Sequence, residues 1–263
     1  MFFFELSSGA LAALIFGVVF GATVLGVLVG RRLRHLSESL RESFAVLQAA
    51  LLGLVALLLA FGLSLSVGRY EDRRAAVVAD ANTIETTYLR AQTLREPIRT
   101  RSLDLLRRYT DTSIALSHAI PGSAEARAEI AEGSQLQRSL WRLAGEALAG
   151  SPQDSAPRLY VETLNEMIDL QTVRVSALNN RVPTAVLVIE IVGAAVGLGL
   201  LALYLAILAR GVVPVVLAAA FVSILLLITF DLDRPTRGLV TVPDTPLVAL
   251  RLSMELPPAA RAP

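Results

Sequence analysis

Few side chains in this sequence have the chemistry of a catalytic or metal-binding group. The 263 residues include no cysteine and only two histidines, and all 24 basic residues are arginine. A thiolate nucleophile, a disulfide, a zinc–thiolate site and a Schiff-base lysine are therefore excluded. His35 lies in an arginine-rich stretch and His118 near a predicted helix end, so we interpret both as solvated or capping residues. We expect no enzymatic activity, no cofactor and no bound metal ion.

Glu190 is the one acidic residue within a long apolar stretch, and three interpretations of it stay open. An ionised carboxylate that faces lipid at the bilayer centre costs about 2.5 kcal/mol or more. Glu190 therefore faces the interior of the helix bundle, lies near the membrane interface, or is protonated. It follows Pro183 by seven residues, which is roughly 10 Å of helix, so an interfacial position is the simplest interpretation of this intramembrane acid.

A second acidic pair follows directly on another apolar stretch, within the segment Asp231-Leu-Asp-Arg-Pro-Thr-Arg-Gly238. Two carboxylates at this spacing could bind a divalent cation where a span ends. We favour pairing with the neighbouring arginines, because charges are tolerated at the membrane interface. The candidate residues of this tail motif are Asp231, Asp233, Arg234, Pro235, Arg237 and Gly238.

Four residues with long polar side chains, Arg69, Tyr70, Arg73 and Arg74, lie where the second apolar stretch ends. One interpretation is an interfacial anchor, because arginine and tyrosine are common at membrane surfaces. The other is a charged vestibule, since arginines repeated around the axis of an oligomer attract anions. Two acids at positions 71 and 72 partly cancel this positive charge.

Four apolar stretches must position these groups. They cover residues 9–30, 44–67, 184–209 and 212–230, and each holds at most one acidic residue. About 20 residues of helix cross a hydrocarbon core of about 30 Å, so each stretch is long enough for a transmembrane helix. The short separations within each pair predict two hairpins. The fold class is thus an all-α membrane protein with transmembrane hairpins at residues 1–67 and 184–230.

The region between the hairpins, residues 68–183, is polar enough to leave the membrane. Proline and glycine divide it into segments with apolar residues at helical spacing, which predicts an extramembrane helical bundle inserted between spans two and three and continuous with both. The tail, residues 231–263, contains a β-prone stretch at 239–242 and a possible short helix near 246–254. Small residues four apart at 17/21, 26/30 and 193/197 are candidate helix contacts.

The sequence at the end of the second span resembles that of a known protein family. The stretch from Phe61 to Arg90, with Gly-Arg-Tyr-Glu-Asp-Arg-Arg at its centre and Asp-Ala-Asn-Thr-Ile-Glu-Thr-Thr-Tyr-Leu-Arg at its end, resembles the bestrophin-like family of bacterial membrane proteins. Asp80, Asn82 and Arg90 match or replace residues of the family pattern, with Asp80 where that family has glutamate. The tail motif resembles a second family pattern, in which an aromatic residue is usual at Thr236.

The resemblance implies a function. True bestrophins are pentameric anion channels with four spans, a cytosolic helical region and an apolar neck on span two. By this resemblance the pore and neck candidates are Leu57, Phe61, Ser64 and Leu65, and an apolar ring of this kind can gate by dewetting. The vestibule or interface charges would be Arg69, Tyr70, Arg73, Arg74, Asp80, Asn82 and Arg90. Packing of Phe61 between helices is an equally good interpretation of that residue.

We therefore expect a homo-oligomeric channel, with a pentamer favoured, that conducts small anions in a lipid bilayer. The alternative is a non-conducting membrane sensor or scaffold whose helical domain binds a partner. A net charge of +1 gives no indication of nucleic-acid binding. The resemblance favours a bacterial inner membrane with the helical domain in the cytoplasm, whereas the arginines of the first hairpin favour the opposite orientation.

Overall fold

The computed structural model describes residues 7–33 and 38–259, without the side chains of 38–43. The regular secondary structure of these residues is helical, which confirms the all-α prediction. The helices are α1 (Ser8–Arg32), α2 (Glu38–Ala91), α3 (Ile98–His118), α4 (Ala124–Gly150), α5 (Ser155–Asn179), α6 (Thr184–Ile207), α7 (Val213–Leu232) and α8 (Thr245–Ser253). Within the described chain, four apolar stretches are long enough to cross a membrane, in α1, α2, α6 and α7.

Contacts divide the chain into two compact units. The span unit comprises Met1–Arg69 and Arg181–Val240, and the insert unit comprises Tyr70–Asn180 and Thr241–Pro263. Each unit has its own apolar core.

In the span unit, α1 packs against α6 and α7. Two glycines of α1 allow its backbone to approach that of α6 closely, because glycine has no Cβ. A Cβ at Gly26 would overlap the carbonyl oxygen of Gly199, and one at Gly30 would overlap that of Leu203. Gly193 and Gly197 of α6 face Val55 of α2. The small-residue patterns at 26/30 and 193/197 therefore both lie in helix contacts, whereas a Cβ at Gly17 or Gly21 would meet open space, so the pattern at 17/21 forms no such contact within the described residues. The pairing of α1 with α2 as a hairpin stays a prediction.

In the insert unit, α3, α4 and α5 pack in sequence, and α8 packs against α3. The core is formed by residues such as Ile84, Leu106, Leu140 and Leu164, all fully buried. The phenol of Tyr88 donates a hydrogen bond to the carbonyl of Met254 (3.2 Å). The short helix predicted in the tail thus exists as α8 and completes this core.

Three local predictions need correction or completion. The insert was expected to continue from spans two and three; α2 does run unbroken from the second span to Ala91, whereas α5 ends at Asn179 and α6 begins at Thr184. The β-prone stretch at 239–242 forms no strand, because the amides of Leu239 and Val240 are bound by a carboxylate of α7 instead of by a neighbouring strand. His35 lies outside the described residues, and the exposed His118 pairs with Asp244 (3.0 Å).

Candidate functional site

The predicted neck residues lie on an exposed face of α2 in the span unit. Leu57, Phe61 and Leu65 are 51%, 59% and 50% exposed, and Ser64 is also exposed. Their spacing of three and four residues places them on one side of the helix. The other side, which includes Val55, packs into the unit. An apolar face that a single copy leaves open is available to lipid or to other copies.

The aromatic and arginine residues after the neck differ widely in their surroundings. Arg69 and Tyr70 are half-buried. Arg74 is exposed and forms a loose ion pair with Glu71 (3.8 Å), which screening by water makes weak.

Arg73 is buried and has a structural contact that the sequence did not predict. Its guanidinium donates hydrogen bonds to the carbonyls of Ala177 (3.2 Å) and Asn180 (2.7 Å). These carbonyls lie at the carboxyl end of α5, where the last turn of a helix leaves acceptors without intrahelical donors. The positive charge also complements the negative end of the helix dipole. In the insert unit Arg73 therefore joins α2 to the end of α5.

Asp80 is fully buried in the insert unit and forms an ion pair with Arg174. The Nη1–Oδ2 distance is 2.7 Å. The second terminal nitrogen of Arg174 donates to the carbonyl of Ser113 (2.8 Å) and to the hydroxyl of Ser117 (2.7 Å). Burial raises the pKa of Asp80, and the charge of Arg174 opposes this rise. This network joins α2, α3 and α5, so Asp80 is placed inside the bundle.

A second polar group lies in the same bundle. The amide nitrogen of Gln137 donates to the carbonyl of the Gln171 side chain (2.6 Å) and to the phenol of Tyr109 (3.2 Å). Burial raises the pKa of Tyr109 above its ordinary range. Sequence reasoning missed these residues and Arg174, although a signal exists. Positions 160, 164, 167, 171, 174 and 178 form one side of α5, and two of them are polar.

Two further candidates from the sequence lie on the surface of the insert unit. Asn82 is exposed. Arg90 is half-buried and donates to the carbonyl of Leu159 (2.6 Å), with the carboxylate of Glu162 at 3.4 Å.

The tail motif forms a compact turn at the end of α7. The Oδ2 atom of Asp231 accepts hydrogen bonds from the amides of Leu239 (2.7 Å) and Val240 (2.8 Å). Gly238 has φ of +121°, and a Cβ there would overlap the Asp231 carboxylate. Only glycine suits both the backbone conformation and the space.

Asp233 connects this turn to α6, since its Oδ2 atom accepts from the amide of Val182 (2.9 Å). Arg234 is buried and has the hydroxyl of Ser8 at 3.5 Å, at the limit of a hydrogen bond. Pro235 and Arg237 belong to the same turn. Sequence reasoning expected arginine partners for the two acids, and that pairing stays a prediction; the contacts described for both carboxylates are with backbone amides, which the pattern did not predict. No group of three metal-ligating side chains suited to an ion exists among the described residues.

Glu190 lies in the interior of the span unit, with 2% of its surface exposed. Its carboxyl group contacts Gly62 of α2, where a Cβ would overlap Oε1. The sequence left three interpretations of Glu190 open. The described structure corresponds to the first of them, because the side chain faces other helices of the span unit.

Comparison with known proteins gives one family and one fold. A crystal structure of a bacterial bestrophin homolog from Klebsiella pneumoniae has a TM-score of 0.64 and 15% identity, covering 90% of this chain and 96% of the homolog. A single-residue variant of such a homolog has a TM-score of 0.67 and 16% identity, covering 92% and 96%. At these identities the likeness concerns the fold. A search of curated proteins gave no significant match. A family model described as a bestrophin-like domain matches residues 13–247, and the protein is therefore a member of the bestrophin-like family of membrane proteins.

Proposed function

We propose that the protein is a homo-oligomeric channel, with five copies favoured, that passes small anions through a pore lined by α2. The observation that carries this proposal is the exposed apolar face of Leu57, Phe61 and Leu65. A ring of copies would enclose this face around an axis. Apolar rings of this kind form constrictions that gate by dewetting.

Two features near this face bear on what the pore passes. Ser64 shares the exposed face, and a hydroxyl is better placed against water than against lipid. Arg69 lies about one further turn along α2, on the side of the helix opposite this face, and adds a positive charge near the end of the span. The exposed acids Glu71 and Asp72 act against it, so the preference for anions depends on the balance of these charges.

The test is current recording from purified protein in planar bilayers with a chloride gradient. We expect single-channel currents whose reversal potential follows chloride. Phe61→Ala removes the largest apolar side chain of the neck and is expected to raise the current. Phe221→Ala is the matched control, because Phe221 is a similarly exposed phenylalanine (69%) on α7, and we expect no change there.

Three results would contradict the proposal. The absence of current from a preparation shown to be oligomeric would contradict the proposal that the protein conducts ions. A reversal potential that follows the cation gradient would contradict the preference for anions but not the presence of a pore. Equal changes of current in Phe61→Ala and Phe221→Ala would contradict the assignment of the neck to α2.

A non-conducting sensor or scaffold is the second candidate, and one feature of the insert unit favours it. A crevice of about 300 Å³ lies between α3 and α4 and is lined by Arg101, Arg108 and Arg142 together with Asp104. Arg101 and Arg108 also form exposed ion pairs with Glu146 (3.7 Å) and Glu132 (3.4 Å), and three guanidinium groups around one crevice suit an anionic partner that competes with these glutamates. Binding of such a partner by a protein that carries no current would favour this function over the channel.

For localisation, we propose a bacterial inner membrane with the insert unit in the cytoplasm. The natural chain has no cysteine, so one cysteine at exposed Asn165 is a clean reporter. A membrane-impermeant maleimide should label Asn165→Cys in inverted vesicles and leave it unlabelled in intact cells. Labelling in intact cells would reverse the orientation.

A further inference from the structure

The buried face of α2 changes from apolar to polar toward Arg69. Val55 and Leu59 are buried aliphatic residues, and Gly62, Ser66 and Arg69 follow at steps of three and four. This spacing keeps all five on one side of the helix, within about a quarter of a turn. The side opposite the neck is therefore a stripe of a glycine, a hydroxyl and a guanidinium.

Three polar side chains near this stripe share one property. The hydroxyl of Ser66, one terminal nitrogen of Arg69 and both carboxyl oxygens of Glu190 are buried and have no hydrogen-bond partner among the described residues. Ser66 is fully buried and Glu190 is 2% exposed. Buried polar groups in native proteins nearly always have partners, so each such group needs an explanation.

The space at Gly62 shows that the position of Glu190 is specific. The Glu190 carboxyl occupies the volume that any larger residue at position 62 would fill. Ser66 lies one turn further along α2 and Arg69 two turns, which is about 6 and about 10 Å of rise. The carboxyl group thus lies at the deep end of a polar stripe that leads toward the end of the span.

No counter-charge contacts this carboxyl among the described side chains of the helices that surround α6. Their titratable groups are Arg31 and Arg32 on α1, Arg69 on α2 up to the end of the span unit, and Asp231 on α7. Arg31 and Arg32 follow Gly30, which contacts α6 at Leu203, roughly 20 Å along the helix from Glu190. An ionised carboxylate without a partner is very costly inside a membrane protein, whereas a neutral carboxylic acid costs much less.

We propose that Glu190 is a proton-binding site within the span unit and that its proton exchanges with water along the side of α2 that carries Ser66 and Arg69. The ligand is a proton, and the site consists of the Glu190 carboxyl against the Gly62 backbone, with the Ser66 hydroxyl about one helical turn further along α2. The hydroxyl both donates and accepts hydrogen bonds, which is what a proton relay requires. The site is independent of whether the protein conducts ions.

The test is infrared spectroscopy of the full-length protein in lipid vesicles. A neutral carboxylic acid has a carbonyl band separate from the bands of carboxylates. We expect this band in the wild type, its loss at high pH, and its absence in Glu190→Gln at every pH. If Glu190→Gln does not fold, Glu190→Asp keeps the carboxyl group and should shift the band.

Transfer to D₂O then measures access to the site. Ser66→Ala removes the buried hydroxyl, and Ser64→Ala, on the exposed side of the same helix, is the matched control. We expect the Glu190 band to shift at the wild-type rate in Ser64→Ala and about tenfold more slowly in Ser66→Ala, a barrier change of about 1.4 kcal/mol.

Three results would overturn the proposal. Identical carbonyl spectra of folded wild type and Glu190→Gln from mildly acidic to mildly alkaline pH would mean that Glu190 is ionised. Loss of the band on addition of sodium at constant pH would mean that the carboxylate holds a metal cation instead of a proton. Equal exchange rates in Ser66→Ala and Ser64→Ala would refute the route along Ser66.

Discussion

Removing one partner of the buried Asp80–Arg174 pair should destabilise the insert unit strongly. In Arg174→Met the carboxylate of Asp80 loses its only ion pair described in the structure and remains fully buried. The variant also leaves the Ser113 carbonyl and the Ser117 hydroxyl without the hydrogen bonds that Arg174 donates. Methionine fills much of the space of the arginine stem, so the change tests polar interactions more than packing.

Breaking a buried ion pair typically costs about 3–5 kcal/mol, because the remaining charge has no compensation. Asp80→Leu leaves the Arg174 guanidinium in the same position and should cost a similar amount. The double variant Asp80→Leu/Arg174→Met leaves no buried charge, so we expect it to recover most of the loss of either single variant. For comparison, Glu162→Gln breaks a half-exposed pair with Arg90 and should cost less than about 1 kcal/mol.

Trp141 makes the measurement specific. It is the only tryptophan in the sequence and lies on α4 in the insert unit, so its fluorescence reports the unfolding of that unit in detergent. Denaturant titrations of the wild type and the four variants give the free energies of unfolding. The reasoning would be refuted if Arg174→Met cost no more than Glu162→Gln, or if the double variant lost the sum of both single changes.

The remaining predictions concern two glycines of the span unit. Gly238→Ala should lower the stability of the unit by about 1–3 kcal/mol, because φ of +121° strains alanine and its Cβ would displace the Asp231 carboxylate. Thermal unfolding of the reconstituted protein measures this loss. An unchanged unfolding midpoint would contradict the prediction. Gly62→Ala should displace the Glu190 carboxyl and shift its carbonyl band, whereas Gly53→Ala, with open space around its Cβ, should leave the band in place; equal spectra of the two variants would contradict the contact.

The spans and the helical bundle could be predicted from composition alone. Four long apolar stretches are stable only as membrane helices, and proline and glycine mark the ends of α3, α4 and α5 within a few residues. The continuity of α2 with the second span could also be predicted, because the first proline after that span is Pro97. Val77 and Ile84, at helical spacing, bury one side of its second half in the core of the insert unit, but the sequence does not indicate which helices they pack against.

The polar partners could be predicted only in part. Arg174 occupies an apolar position of α5, so its burial was detectable, but its partner Asp80 lies 94 residues away in the sequence. The backbone partners of Asp231 were not predictable, because an amide carries no sequence signature. Glu190 was recognisable as unusual from its apolar neighbours, whereas its contact with Gly62 depends on how α2 and α6 pack.

The most direct test of the channel is whether water reaches Phe61 in the assembled protein. The cysteine-free chain allows Phe61→Cys to be treated with a charged, water-soluble thiosulfonate reagent during current recording, with Phe221→Cys as the control on α7. A pore lined by α2 predicts rapid modification of Phe61→Cys with a change in current, and no modification of Phe221→Cys. An unreactive Phe61→Cys in a conducting oligomer would place this face against lipid and contradict the account.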